Sequence, residues 1–111
     1  MKVDVSTDSN IDGREKLTIH VQAVVEQTLE RFARRISRVE VHLTDVNSHK
    51  NGHDDTRCMM EVRLEGRPPS AVTHLAPTLE RAVDGACGRL KRLIESTLGR
   101  EGTLEGLRDH R

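Results

Sequence analysis

Residues 38–46 (RVEVHLTDV) and 56–65 (TRCMMEVRLE) change polarity at nearly every step. A side-chain period of two belongs to extended chain with one face buried and the other wet. In the first run Val39, Val41 and Leu43 point one way, and Glu40, His42 and Thr44 the other. In the second, Cys58, Met60, Val62 and Leu64 form the apolar set, while Arg57, Met59, Glu61 and Arg63 face away. Residues 2–6 repeat the pattern with Val3 and Val5. A weaker run starts near Ser70, after Pro68-Pro69, which cannot donate to a strand ladder. A sheet built from such strands needs cover on one face only.

Two segments can supply that cover. Leu17, Val21, Val24, Val25, Thr28, Phe32 and Ile36 follow the three-and-four spacing of a helical face, which predicts a helix from about Arg14 to about Arg35. Leu79, Val83, Ala86, Leu90, Leu93 and Ile94 predict a second, with Pro77 in its first turn and an end at Gly99. The expected order is β-α-β-β-β-α. The fold class is α+β: a four-stranded sheet, both helices on one face, and an open polar face opposite. Residues 1–98 read as one domain, and 99–111 as a flexible tail. The polar stretch NSHKNGHDD (47–55) reads as a loop between two strands.

With 111 residues there is room for one domain. Lys+Arg and Asp+Glu both number 18, so only local clustering can argue for a polyanion partner. Phe32 is the single aromatic residue, which nearly excludes recognition by stacked rings. Cys58 and Cys87 are far apart with no CxxC, and read as free thiols in a reducing compartment. The N-terminus lacks the apolar core of a signal peptide, and no run approaches the ~18 apolar residues of a membrane span. The expected location is cytoplasmic, with no membrane partner.

Basic residues do cluster. Arg31, Arg34, Arg35 and Arg38 fall within eight positions, and Arg89, Lys91 and Arg92 within four. Helices packed side by side would merge the groups into one phosphate-binding patch. The alternative is a solvated surface balanced by Glu26, Glu30, Asp84 and Glu95. His49, His53, Asp54, Asp55 and Cys58 are ligand-type residues, but no second Cys/His pair completes a tetrahedral set, so a solvated loop is the preferred reading. His42 and His74 read as strand-surface residues. Each cysteine sits on or beside an apolar face, the position of a small hydrophobe and not of a nucleophile. No glycine-rich phosphate loop and no Gly-x-Ser-x-Gly is present. The expectation is a binding protein, not an enzyme, with no cofactor, no metal and no small-molecule substrate.

The run RFARRISRVEVHLTDVN, a glycine-containing loop, and then DDTRCMMEVRLEGRPP resemble the ribosome hibernation promoting factor family, also called ribosome-associated inhibitor A, sigma-54 modulation or S30EA-type proteins. LERAVDGACGRLKRLIE is similar to that family's second helix, and the resemblance covers about residues 2–98. It implies a β-α-β-β-β-α domain akin to double-stranded-RNA-binding folds. It also implies binding to the 16S-type rRNA of the small ribosomal subunit, and inhibition of translation in stationary phase or stress. By position the implied rRNA contacts are Arg34, Arg35, Arg38, Arg81, Arg89, Lys91 and Arg92, gripping backbone phosphates. The chain ends soon after the second helix, as short members do. It departs from the family at Asp84, Gly85 and Gly88, which make this helix less basic. The loop Asp45-Val46-Asn47, Gly52, Asp55-Thr56-Arg57-Cys58 resembles a divergent branch. The alternative on the same fold is a protein-binding module, including weak self-association through the open sheet face.

Overall fold

The computed structural model describes residues 1–8, 14–46 and 56–109, with side chains over 1–8, 15–46 and 56–99. The loop histidines His49 and His53, the carboxylates Asp54 and Asp55, and the turn residues from Ser9 to Gly13 lie outside the described residues. The elements are β1 (Lys2–Thr7), α1 (Arg14–Thr28), a 3-10 helix (Glu30–Arg35), β2 (Ile36–Asp45), β3 (Thr56–Leu64), β4 (Ser70–Ala76) and α2 (Leu79–Asp109). The strands form one mixed sheet in the order β1-β2-β3-β4. β1 runs parallel to β2, and the next two pairings are antiparallel. This is the predicted α+β architecture.

Alternation decides which face is covered. Val39, Val41, Cys58 and Met60 are fully buried, and Leu43 and Val62 nearly so. They form one apolar cluster with Val21, Val25 and Leu29 of the first helical segment and Ala82, Ala86, Leu90 and Ile94 of α2. On the open face charges lie in rows across the strands. Lys2, Arg38 and Arg63 make one row, and Asp4, Glu40 and Glu61 the next. Like charges side by side repel. Here Arg38 offsets that by reaching diagonally to Asp4, 2.6 Å from its Nη2 and 2.8 Å from its Nε.

The first helical segment departs from expectation. The α-helix ends at Thr28, and the chain tightens into 3-10 geometry, with the Phe32 amide donating to the Leu29 carbonyl at 2.9 Å. Leu29, outside the apolar face read from spacing, is fully buried. The reason is geometric. Each four-residue step along Val21, Val25 and Leu29 overshoots a turn by about 40°. A three-residue step to Phe32, at three residues per turn, stops the drift and keeps the ring on the core. Ile36 is buried as the first residue of β2, next to a register irregularity between Ile36 and Arg38.

α2 is capped by Thr78, whose hydroxyl accepts the Arg81 amide at 3.2 Å. Pro77 therefore precedes the cap and is not in the first turn. At the far end the helix passes through Gly99 and continues to Asp109. One glycine costs about 1 kcal/mol of helix propensity, too little to end a helix flanked by Leu98, Arg100 and Glu101.

Both helices run antiparallel to β1, β2 and β4, and hence parallel to each other. Gln22 of α1 donates to the Val3 carbonyl at 3.1 Å, tying that helix to β1, while Arg31 reaches Glu95 of α2 at 3.8 Å.

Candidate nucleic-acid interface

The seven basic residues picked out by the resemblance fall in three places. Arg34 and Arg35 end the 3-10 helix and are exposed. They sit where β2 begins and β3 ends, since the Arg35 carbonyl accepts the Glu65 amide at 3.0 Å. Arg38 lies on the open sheet face, across the sheet from both helices, held by Asp4 and 3.5 Å from Glu40. The hydrogen bond and charge of Asp4 push its guanidinium pKa up. Arg38 therefore does not join a helical patch, a correction to the reading that grouped it with Arg34 and Arg35. The parity of β2 is the physical cause, because residue 38 shares its face with Glu40 and His42.

The remaining four are on α2, and the helix sorts them. Arg81, Gly85, Arg89 and Arg92 are spaced four, four and three apart, so they line one stripe. All three arginines are exposed, and they span about 16 Å of helix axis. Glu80, Asp84, Lys91 and Glu95 form a second stripe with spacings of four, seven and four. Glu95 meets Arg31 there, so this acidic stripe faces the first helical segment. Lys91 is half-buried within it, flanked by carboxylates. It is separated from Arg89 and Arg92, with which the sequence groups it, and from Arg81.

The arginine stripe faces the other way, toward β4. A β-carbon at Gly85 would overlap the imidazole of His74, so the helix backbone lies against that ring only because residue 85 is glycine. His74 occupies the inward-facing register opposite Cys58 and is half-buried. It is not the strand-surface residue that the sequence suggested. At Gly88 a β-carbon would lie 3.7 Å from Nη1 of Arg92. Of the two glycines that dilute the basic character of α2, Gly85 is therefore the one that its packing requires, since a β-carbon at Gly88 would make only an ordinary contact.

One basic residue on this side escaped the sequence reading. Arg67 follows the turn at Gly66, whose φ of 74° is the left-handed conformation that glycine tolerates. It borders a shallow notch of about 260 Å³ with Leu93, Thr97 and Ser70. No periodicity marks a residue in a turn, so only the tertiary fold brings it to α2.

The thiols offer no nucleophile. Burial pushes Cys58 up to about 12, helped by Cys87. Burial, with Asp84 adding to it, pushes Cys87 up to about 11 despite a hydrogen bond from Thr28. An activated cysteine is shifted in the opposite direction. At pH 8 a disulfide-exchange reagent should therefore label neither thiol in the folded protein, and both once urea unfolds it. Fast labelling of the native chain would contradict their placement.

Among the described residues no helix is long and apolar enough to cross a membrane. Comparison with curated proteins yields no match. Solved structures do share the fold. A ribosomal subunit interface protein from Coxiella burnetii is 14% identical, with a TM-score of 0.65, over 89% of this chain and 99% of that one. The N-terminal domain of Protein Y from Thermus thermophilus is 22% identical, with a TM-score of 0.57, over 86% and 94%. The family profile described as Sigma 54 modulation protein / S30EA ribosomal protein spans residues 5–101, all but the two ends of the chain. That family comprises ribosome-associated modulation factors and is not a class of enzymes. On that match, with strand order and helix placement in agreement, the chain belongs to the S30EA family.

Proposed function

We propose that this protein is a cytoplasmic ribosome-associated translation inhibitor, a hibernation factor that binds rRNA of the small subunit. Its primary contact is the α2 stripe of Arg81, Arg89 and Arg92. Arg34 and Arg35 make a second contact at the end of the sheet. The observation that carries this reading is the segregation of charge on α2. A chain with zero net charge nonetheless has a helix flank whose only charged residues from 81 to 92 are arginines, with its carboxylates turned toward the first helix. Such a flank can follow a phosphate backbone without demanding a base sequence, which suits folded rRNA.

Sedimentation with purified subunits tests the reading. The protein should travel with small subunits at 50 mM salt and not with large ones. The three α2 contacts alone predict that affinity falls about 20- to 40-fold between 50 and 200 mM salt, and the further contacts of Arg34 and Arg35 steepen the fall to about 100- to 500-fold. A protein that remains at the top of the gradient at low salt is not a ribosome-binding factor.

A further inference from the structure

The two edges of the sheet are defended differently. β1 carries Lys2 and Asp4 along its length. β4 reads Ser-Ala-Val-Thr-His-Leu-Ala, seven residues without a carboxylate, lysine or arginine. It pairs with β3 on one side only. Its outward-facing Leu75 is 51% exposed, one of two large exposed apolar residues on the described surface. Natural proteins normally blunt an edge with charge, because a row of unpaired amides and carbonyls invites another strand.

The sequence of β4 also suits itself. An antiparallel pairing of two β4 strands about a twofold axis at Thr73 sets Ala71 opposite Leu75 of the second copy, and Leu75 opposite its Ala71. On the covered face Val72 meets His74 of the second copy. No facing pair contains a carboxylate, lysine or arginine, and the exposed leucine of each copy is covered. The register holds whichever set of β4 amides points outward, since the axis runs through a residue pair.

We propose that β4 is a homodimer interface, joining two copies through β4–β4 pairing centred on Thr73 into a continuous eight-stranded sheet. The interface is isologous and closes at two copies. It brings the arginine flanks of the two α2 helices together, because Gly85 places that flank against β4. Pairing therefore strengthens as salt screens the arginines, opposite in sign to the dependence expected of RNA binding. The proposal does not rest on the rRNA reading.

The test is sedimentation velocity of the full chain over a concentration series at 50 and 300 mM salt, combined with cysteine crosslinking. A monomer–dimer equilibrium should appear, tighter at 300 mM. Under mild oxidation Thr73→Cys should give a covalent dimer, since directly opposed residues have Cα atoms about 4.5–5.5 Å apart, within disulfide range. Leu75→Cys should not, because the two copies of residue 75 are about 13 Å apart in this register. Leu75→Glu should weaken the dimer at least tenfold, and Ala71→Lys combined with Leu75→Glu should restore it through Lys–Glu pairs across the strands. Circular dichroism confirms that each variant is folded. A chain that is monomeric at every concentration overturns the proposal. So does a dimer that Thr73→Cys fails to trap, or a monomer whose β4 instead captures a foreign peptide strand. Leu75→Glu is also run on ribosomes. Retained binding there, with the dimer lost, separates this proposal from the rRNA reading.

Discussion

Reversing three charges on one flank of α2, Arg81→Glu, Arg89→Glu and Arg92→Glu together, should abolish co-sedimentation with small ribosomal subunits. All three side chains are exposed, so the substitutions remove no core contact. Each arginine–phosphate hydrogen bond is charge-assisted, worth about 1.5–3 kcal/mol. The low end of that range for three contacts corresponds to a loss of at least about a thousandfold in affinity. New carboxylates facing phosphates push further in the same direction. Two controls make the result specific to the stripe. Lys91→Glu changes the same net charge per residue, but on the acidic flank, where Glu95 meets Arg31. Arg38→Glu acts on the opposite side of the sheet, at a residue already held by Asp4. Each should alter binding by less than about threefold, in keeping with the small worth of exposed charges outside the contact. Equal losses from all three variants would mean that only overall charge matters, and the stripe would lose its role.

Most of the architecture was legible because strands with one wet face write their orientation into every second residue. Val39, Val41 and Leu43 are buried as the alternation requires, and Cys58, Met60 and Val62 face them from β3. Even the position of Arg38 was present in that code. Its even number groups it with Glu40 and His42, but proximity in sequence to Arg34 and Arg35 obscured this. The end of the first helix was not legible. Nothing in the spacing of Val21, Val25 and Leu29 announces where the winding tightens to admit Phe32. The α2 stripes were half legible. Spacing alone separates Arg81, Arg89 and Arg92 from Glu80, Asp84 and Glu95. Which stripe faces the first helix and which faces β4 depends on two long-range contacts, Arg31 with Glu95 and Gly85 with His74. Contacts between residues eleven or more apart leave no periodic trace.

The stripe is useful only if α2 is held in one rotation about its axis, and Leu90 is the residue that tests this seating. It lies between Arg89 and Lys91 in sequence, yet it is fully buried, in the same cluster as Met60, Val62 and Ile94. Leu90→Ala keeps the helix former and every charge, and removes the side chain that anchors this turn to the sheet. Truncating a fully buried leucine costs about 2–5 kcal/mol, through lost transfer energy and the cavity left behind. Alanine's better helix propensity returns only a few tenths. Urea unfolding should therefore show a lower midpoint with an unchanged slope, since the surface exposed on unfolding hardly changes. Below the melting range the variant should still bind ribosomes, with Arg89 and Arg92 on their original flank. Stability and binding then respond to adjacent residues independently, Leu90 governing one and Arg89 the other. A loss below about 1 kcal/mol would mean that α2 is not seated on the sheet at this turn, and the orientation of both charge stripes would fall with it.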